Sequence, residues 1–298
     1  MQVVIGGASG FLGTALAERL RRDGHDVVRL VRHGDVAADA SRWDPAAGVV
    51  EQSVIDSADA VVNLSGSPIA HWPPTEAWKR ELVASRMTAT TTLAQAIAAA
   101  PSPPVFLSGS ASGYYGPDRG AEELTEGSTP GAGFLADLVV DWEKATAPAA
   151  GAGSRVVLLR TGLPLHRSGG ALQPMLPAFR FGLGAKLGKG DQYFPVMSLS
   201  DWTRAVAHTM TSDVAGPINL VMPEVPTNAE FTDALGRALR RPTVLRIPST
   251  AIKVGLGSLA PSLLGSLRMQ PRRLLDDGFA FEHTSIADVV TAALRPSR

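Results

Sequence analysis

Gln2-Val-Val-Ile-Gly-Gly-Ala-Ser-Gly-Phe-Leu-Gly13 runs a short β-branched stretch straight into a turn with three spaced glycines. Gly7 permits a tight turn after a strand, Gly10 lets the backbone approach a ligand, and Gly13 lets the next helix pack close to a sheet. The free N–H groups around Ser9, Gly10, Phe11, Leu12 and Gly13 then face a negative charge, as a dinucleotide pyrophosphate requires.

The flanking residues make a common glycine pattern specific. From Phe11 to Arg22, Leu12, Leu16 and Leu20 share one face, and Glu18, Arg19, Arg21 and Arg22 fall mostly elsewhere. Asp23-Gly24 stops this helix, and Asp26-Val-Val-Arg-Leu-Val-Arg32 reads as a second strand. Strand, turn, helix and strand fit in about 30 residues, the size of a βαβ unit. A carboxylate ending the second strand would favour NAD, and an arginine would favour NADP(H). Here Arg32 ends it, with no acid before Asp35. Arg32 is therefore either a fork for a 2′-phosphate, which favours NADP(H), or a solvated side chain.

With 298 residues and 45 % hydrophobic content, the chain can bury a sizeable core in one large or two modest domains. Zero formal net charge and no basic block argue against nucleic acid as a partner. The absence of cysteine excludes disulfides and thiolate chemistry. A strand starting at residue 2 leaves no room for a signal peptide, so a cytoplasmic protein is expected. Val254 to Leu267, interrupted by Pro261, is too short to span a bilayer. The apolar region Ala251 to Leu267 suits lobe core or a subunit contact in a homo-oligomer, with attachment to a membrane surface the weaker reading.

Further along, Ala60–Leu64, Val105–Ser108 and Arg155–Arg160 read as strands. Thr75–Ala99, with Thr75 as hydroxyl cap and Glu76 in its first turn, and Phe134–Ala147 read as helices. This alternation predicts an α/β fold with a doubly wound parallel sheet. Ligands then bind beyond the carboxyl ends of its strands, so the segments after Ile5, Leu64, Leu107 and Arg160 are expected to line a crevice. Beyond about residue 163 glycine and proline are frequent, and helices such as 201–210 and 228–239 are short. The expected division is a nucleotide-binding core over 1–162 and a smaller mixed α/β lobe over 163–298, with some segments returning to the core.

Gly7-Ala-Ser-Gly-Phe-Leu-Gly13, Asn63-Leu-Ser-Gly-Ser-Pro-Ile69, Ser85-Arg86 and Ser108-Gly-Ser-Ala-Ser-Gly-Tyr-Tyr-Gly116 carry a family resemblance. So do Trp142-Glu143, Arg160-Thr-Gly162, Gly169-Gly170, Met175-Leu176, Pro271, Arg273-Leu274 and Gly278-Phe-Ala-Phe281. Together these blocks resemble the atypical extended short-chain dehydrogenase/reductases. More narrowly, they resemble the bacterial NAD(P)-dependent epimerase/dehydratase-like proteins that end in a domain of unknown function. The resemblance implies a Rossmann-like NADP(H)-binding core, a C-terminal substrate lobe, and an oxidoreductase or epimerase-like activity on a small carbonyl, hydroxyl or sugar-like substrate.

Typical superfamily members activate a tyrosine with a lysine four residues later, because an ammonium stabilises the phenolate. Here Tyr114, Tyr115 and Tyr193 are followed at that spacing by Asp118, Arg119 and Met197. The tyrosine–lysine region aligns with Phe134 and Leu138, and the usual serine matches Ser110. Three readings stay open. Tyr115 with Ser110 carries the proton transfer; another group or water does; or the protein binds the nucleotide without turnover. Packing is the plainer alternative for Tyr114 and Tyr115.

The remaining cofactor candidates are Ser65 and Gly66, after a strand, and Ser108. Arg86 contacts a phosphate or pairs with Glu143. Trp43 and Trp78 shape a pocket or simply pack, His71 is expected in solvent, and Gln192 and Tyr193 are candidates to meet substrate. Where relatives carry Trp-Ile-His before an acidic pair, this chain has Val196-Met-Ser-Leu-Ser-Asp201, so the histidine position is Ser198. No histidine or acid cluster has metal-ligand spacing along the chain, so no metal is expected.

Overall fold

The structure is a computed structural model describing residues 1–34, 37–69, 75–256 and 260–295. Asp35 and His71 lie outside the described residues.

The chain starts β1 (Gln2–Gly6), α1 (Phe11–Arg22), β2 (Asp26–Val31), β3 (Ala40–Asp44), β4 (Val49–Val50), α2 (Gln52–Asp56), β5 (Ala60–Asn63), α3 (Glu76–Ala99) and β6 (Val105–Ala111). It continues with β7 (Glu123–Leu124), α4 (Phe134–Lys144), α5 (Ala147–Gly151), β8 (Val156–Thr161), β9 (Leu163–Leu165), α6 (Leu172–Arg180), β10 (Ala185–Leu187), β11 (Val196–Ser198), α7 (Leu199–Thr211) and β12 (Gly216–Leu220). Then follow α8 (Asn228–Leu239), β13 (Leu245–Ile247), α9 (Ser249–Leu256), α10 (Ala260–Leu264), β14 (Arg268–Met269), α11 (Arg272–Asp276) and α12 (Ile286–Leu294).

Eight strands form one sheet in the order β12-β8-β6-β5-β1-β2-β3-β4. β1 pairs in parallel with β2 and with β5, placing Gly6 beside Leu30 and Asn63, and β5 pairs in parallel with β6, placing Asn63 beside Ser108. The carboxyl ends of these strands therefore share one edge. Both faces of such a sheet are covered, which is why Val3-Val4-Ile5 and Ala60-Val-Val62 are continuous apolar runs rather than alternating ones.

The chain divides into two compact units. The first comprises residues 1–110, 138–159 and 203–217. Its core packs Val4, Leu30, Trp43, Val61, Leu93, Ile97 and Phe106 together. Trp43 is thus a packing residue. α3 starts where expected, with Thr75 accepting from the Trp78 amide at 3.1 Å. α7 belongs to this unit from Thr203 onward, and around its end Arg155 donates to the carbonyls of Thr209, Met210 and Val214 at 2.8–2.9 Å. A cation there satisfies orphan carbonyls at a helix end.

The second unit comprises 111–137, 160–202 and 218–298. Tyr115, Leu124, Val221, Val225, Leu267 and Met269 form one of its apolar clusters. α8 opens with a reciprocal capping box between Thr227 and Glu230. The first compact unit thus takes in 203–217 from beyond residue 162, and the second takes in 111–137 from before it. No described helix is long and apolar enough to cross a membrane.

Candidate nucleotide site in the first unit

The turn between β1 and α1 is built as its glycines require. Gly7 has φ +79°, where a side chain is strained, and a Cβ at Gly13 would lie 2.2 Å from the Gly7 carbonyl oxygen. Gly10 differs. Its φ of −79° suits any residue, it is exposed, and a Cβ there would meet only the Gly7 carbonyl at 3.3 Å. The fold therefore places little demand on glycine at position 10. No side chain caps α1 and no acid sits in its first turn, so its positive end is left to something else. Ser9 is exposed, and Phe11 and Leu12 are half-buried.

Ser65 follows β5 directly beside this turn. A Cβ added to Gly6 would lie 2.9 Å from its hydroxyl oxygen, and one added to Gly7 would lie 2.8 Å from its amide nitrogen. The Ser65 Oγ is buried without a hydrogen-bond partner among the described residues. Buried hydroxyls normally find a partner, so this one can meet a polar group of a ligand.

Four side chains tie the ends of β5 and β6 to α3 and α4. Thr90 Oγ1 accepts from Asn63 Nδ2 at 2.9 Å and from Trp142 Nε1 at 2.8 Å. Asn63 Oδ1 accepts from the Ser65 amide at 3.1 Å. Gly109 gives Trp142 its room, since a Cβ there would stand 2.9 Å from the indole. Arg86 lies over the Trp142 ring at 5.2 Å and against Gly66, donating to the carbonyls of Ser67 and Leu82 at 3.2 Å each. Burial pushes its guanidinium down to about 10. Among the described residues it meets no carboxylate, so of the two expected roles the pairing with Glu143 is not formed.

Glu143 instead accepts a 2.6 Å hydrogen bond from Ser110. Ser110 is buried at 5 % exposure, while Glu143 on α4 is half-buried. Ser108 is fully enclosed, with only a long 3.4 Å contact to the Gly109 carbonyl, which does not agree with the expected direct touch on a nucleotide. Arg32 stands exposed just past β2 with no partner among the described residues. Its neighbour Arg29 is committed, its fork gripping Asp39 at 2.7 and 3.0 Å and holding that carboxyl below its ordinary range. Trp78 is buried, its indole N–H turned toward the Pro68 carbonyl at 3.4 Å, a packing role.

The second unit corrects the expectation for Tyr115. Its ring is fully buried. Its hydroxyl donates toward Asn219 Oδ1 at 2.7 Å and the Thr125 carbonyl at 3.0 Å, and accepts from Arg160 Nη1 at 3.2 Å. Burial pushes the phenol up to about 12, against the opposing pull of Arg160. A phenol so enclosed and held neutral packs and pins the chain, which is poor equipment for exchanging a proton with a substrate. Arg160 stacks on Tyr114 at 3.3 Å, so Tyr114 also packs. Gln192 is buried and donates to the Leu187 carbonyl at 3.2 Å, and the Tyr193 ring lies under Arg268 at 5.3 Å.

Family-model comparison matches residues 3–165 to the NAD dependent epimerase/dehydratase family. The chain belongs to that family. A domain of unknown function matches residues 247–293 of this epimerase-family chain. An epimerase family protein of Mycobacterium leprae is 42 % identical over 99 % of this chain and 97 % of its own length. The crystal structure of the human epimerase family protein SDR39U1 (isoform 2) with NADPH superimposes with a TM-score of 0.90 at 33 % identity, covering 98 % of this chain and 99 % of that one. A nucleoside-diphosphate sugar epimerase from Corynebacterium glutamicum gives 0.82 at 33 % identity, covering 99 % of this chain and 58 % of that one. The family and fold read from the sequence blocks agree with these matches.

Three groupings of the epimerase-family chain escaped its sequence. Asn63 in an apolar strand was the one local signal for the Asn63–Thr90–Trp142 network, because a buried amide demands partners. Nothing local paired Ser110 with Glu143. The third grouping joins Asp201, Glu282 and His283, whose potential ligand atoms lie within 4.8 Å of one another although the sequence spacing showed no metal cluster. Asp201 is already occupied. Its carboxylate accepts from the amides of Glu282 and His283 at 3.0 Å each, with His283 Nδ1 at 3.0 Å and Ser198 Oγ at 3.2 Å. These contacts tie the C-terminal segment to the start of α7.

Proposed function

We propose that the chain binds NADP(H) in its first unit and acts as an oxidoreductase or epimerase-like enzyme on a small carbonyl, hydroxyl or sugar-like substrate. The observation that carries this reading is the buried, unpartnered Ser65 hydroxyl beside a glycine turn whose helix start has no cap. Gly7, Ser9, Gly10, Phe11, Leu12 and Gly13 would hold the pyrophosphate through backbone N–H groups. Ser65 and Gly66 would meet the nucleotide, with Arg86 turned toward an anionic group. Arg32 would answer a 2′-phosphate. A nicotinamide bound there would supply hydride transfer. The relative crystallised with NADPH supports the choice of coenzyme. Zero net charge and the absence of cysteine support a small-molecule substrate and a cytoplasmic setting.

A second reading, nucleotide binding without turnover, is favoured by the missing Tyr-x-x-x-Lys and by the enclosure of Tyr115. Titration with NADP+ and NADPH, followed by absorbance at the nicotinamide band against a panel of carbonyl and hydroxyl compounds, separates the two. Tight binding with no absorbance change across the panel selects the second. Absent binding removes both.

A further inference from the structure

We infer that Glu143 is the proton-exchanging group of the active site and that Ser110 is its positioning residue. The inference rests on the NADP(H) reading above. It starts from a need: hydride transfer between an alcohol and a nicotinamide releases or takes up a proton at the alcohol oxygen, and a group must handle it. The phenol that ordinarily does so has no counterpart here, since Phe134 and Leu138 occupy its region and Tyr115 is enclosed.

Glu143 has what Tyr115 lacks. It lies on α4 beside the carboxyl end of β6, the edge where parallel α/β sheets bind ligands. Its carboxylate is fixed by the Ser110 hydroxyl at 2.6 Å, the length of an O–H···O− bond. The backbone around it is held by the adjacent Trp142, which is buried against Gly109 and hydrogen-bonded to Thr90. That same network reaches Asn63, Ser65 and Arg86, so the carboxylate shares a rigid frame with the nucleotide candidates. Ser110 is buried and Glu143 is half-buried, so the carboxylate is the member a substrate reaches. In the oxidising direction the carbinol C–H bond breaks and its hydride goes to NADP+. The O–H bond breaks and its proton goes to Glu143, leaving a carbonyl, NADPH and a neutral carboxyl group. Reduction runs the same balance backwards.

A carboxylate near the nicotinamide also distinguishes the two coenzyme forms, because the oxidised ring carries a positive charge and the reduced ring does not. The test is therefore made first without substrate. NADP+ and NADPH are titrated calorimetrically into the wild type and into Glu143→Gln, Ser110→Ala and Ser110→Thr, with folding checked by circular dichroism. Glu143→Gln is expected to lower the NADP+/NADPH affinity ratio roughly three- to tenfold, the size of one partly screened charge contact. Ser110→Ala should move the ratio the same way by less, and Ser110→Thr, which keeps the hydroxyl, should restore it. Any activity found should fall by about a hundredfold or more in Glu143→Gln. An unchanged ratio in a folded Glu143→Gln that still binds both forms overturns this inference and leaves the NADP(H) reading standing. A wild type that binds neither form overturns both. Should Glu143→Gln fail to fold, identical ratios in Ser110→Ala and wild type overturn the inference.

Discussion

Gly10→Ala separates what the fold needs from what a ligand needs. The backbone at Gly10 is extended, with φ −79° and ψ 170°, so alanine adopts it without strain. Its methyl would meet only the Gly7 carbonyl at 3.3 Å, a gap that a shift of a few tenths of an ångström relieves. Losing a glycine cap costs up to about 1 kcal/mol, and the reduced freedom of the unfolded chain returns about 0.4–1 kcal/mol. The net change in stability is therefore small, a shift of no more than a few degrees in Tm. Binding is another matter. On the proposed reading a methyl at this exposed N-cap would stand where the pyrophosphate approaches the α1 amides, and loss of one charge-assisted hydrogen bond costs about 1.5–3 kcal/mol. That corresponds to roughly 10- to 100-fold weaker NADP+ binding. Calorimetric titration and a thermal melt on the same sample read both quantities. An affinity within twofold of wild type would refute the placement of the pyrophosphate at this turn. A large loss of stability would refute the claim that glycine here serves the ligand.

Three other outcomes follow from the same contacts. Arg32→Ala should weaken NADP+ binding about tenfold or more and leave NAD+ binding unchanged, read by parallel titrations. Arg86→Met should weaken nucleotide binding while Tm holds or rises, because a half-buried guanidinium without a carboxylate costs desolvation that a methionine does not. Tyr115→Phe should lower stability by about 1–3 kcal/mol in denaturant melts and leave coenzyme affinity unchanged, since Asn219 Oδ1 loses the hydroxyl that donates to it and Arg160 loses one of its acceptors. Because burial raises the Tyr115 phenol to about 12, the unfolded chain ionises it first. Wild-type stability should hold up to about pH 10 on this account and fall between about 10 and 12. Alkaline unfolding of Tyr115→Phe should lose that part of the slope.

What the sequence made legible was local. The β1–α1 turn, the Thr75 cap and the strands through Val31 and Asn63 are each written in residues within a few positions of one another, where glycine freedom, capping and side-chain period act. Arg32 was legible as a strand end for the same reason. The Thr90 bridge, the Ser110–Glu143 bond and the Asp201 carboxylate that gathers residues 282–283 join positions 27 to 82 apart, which no local rule relates. Tyr115 shows the limit most clearly. Its neighbours Tyr114 and Gly116 mark a turn, but Asn219, 104 residues on, decides that its hydroxyl faces inward. Composition changes near position 162, but no local rule shows which later segment returns, as residues 203–217 do where Arg155 meets the carbonyls at the end of α7.

The most direct measurement is calorimetric titration of the unaltered chain with NADP+ and NAD+ in turn. Saturable binding of NADP+ at one site per chain, tighter than NAD+, is the expected result. A flat trace for both coenzymes on folded protein would contradict the account.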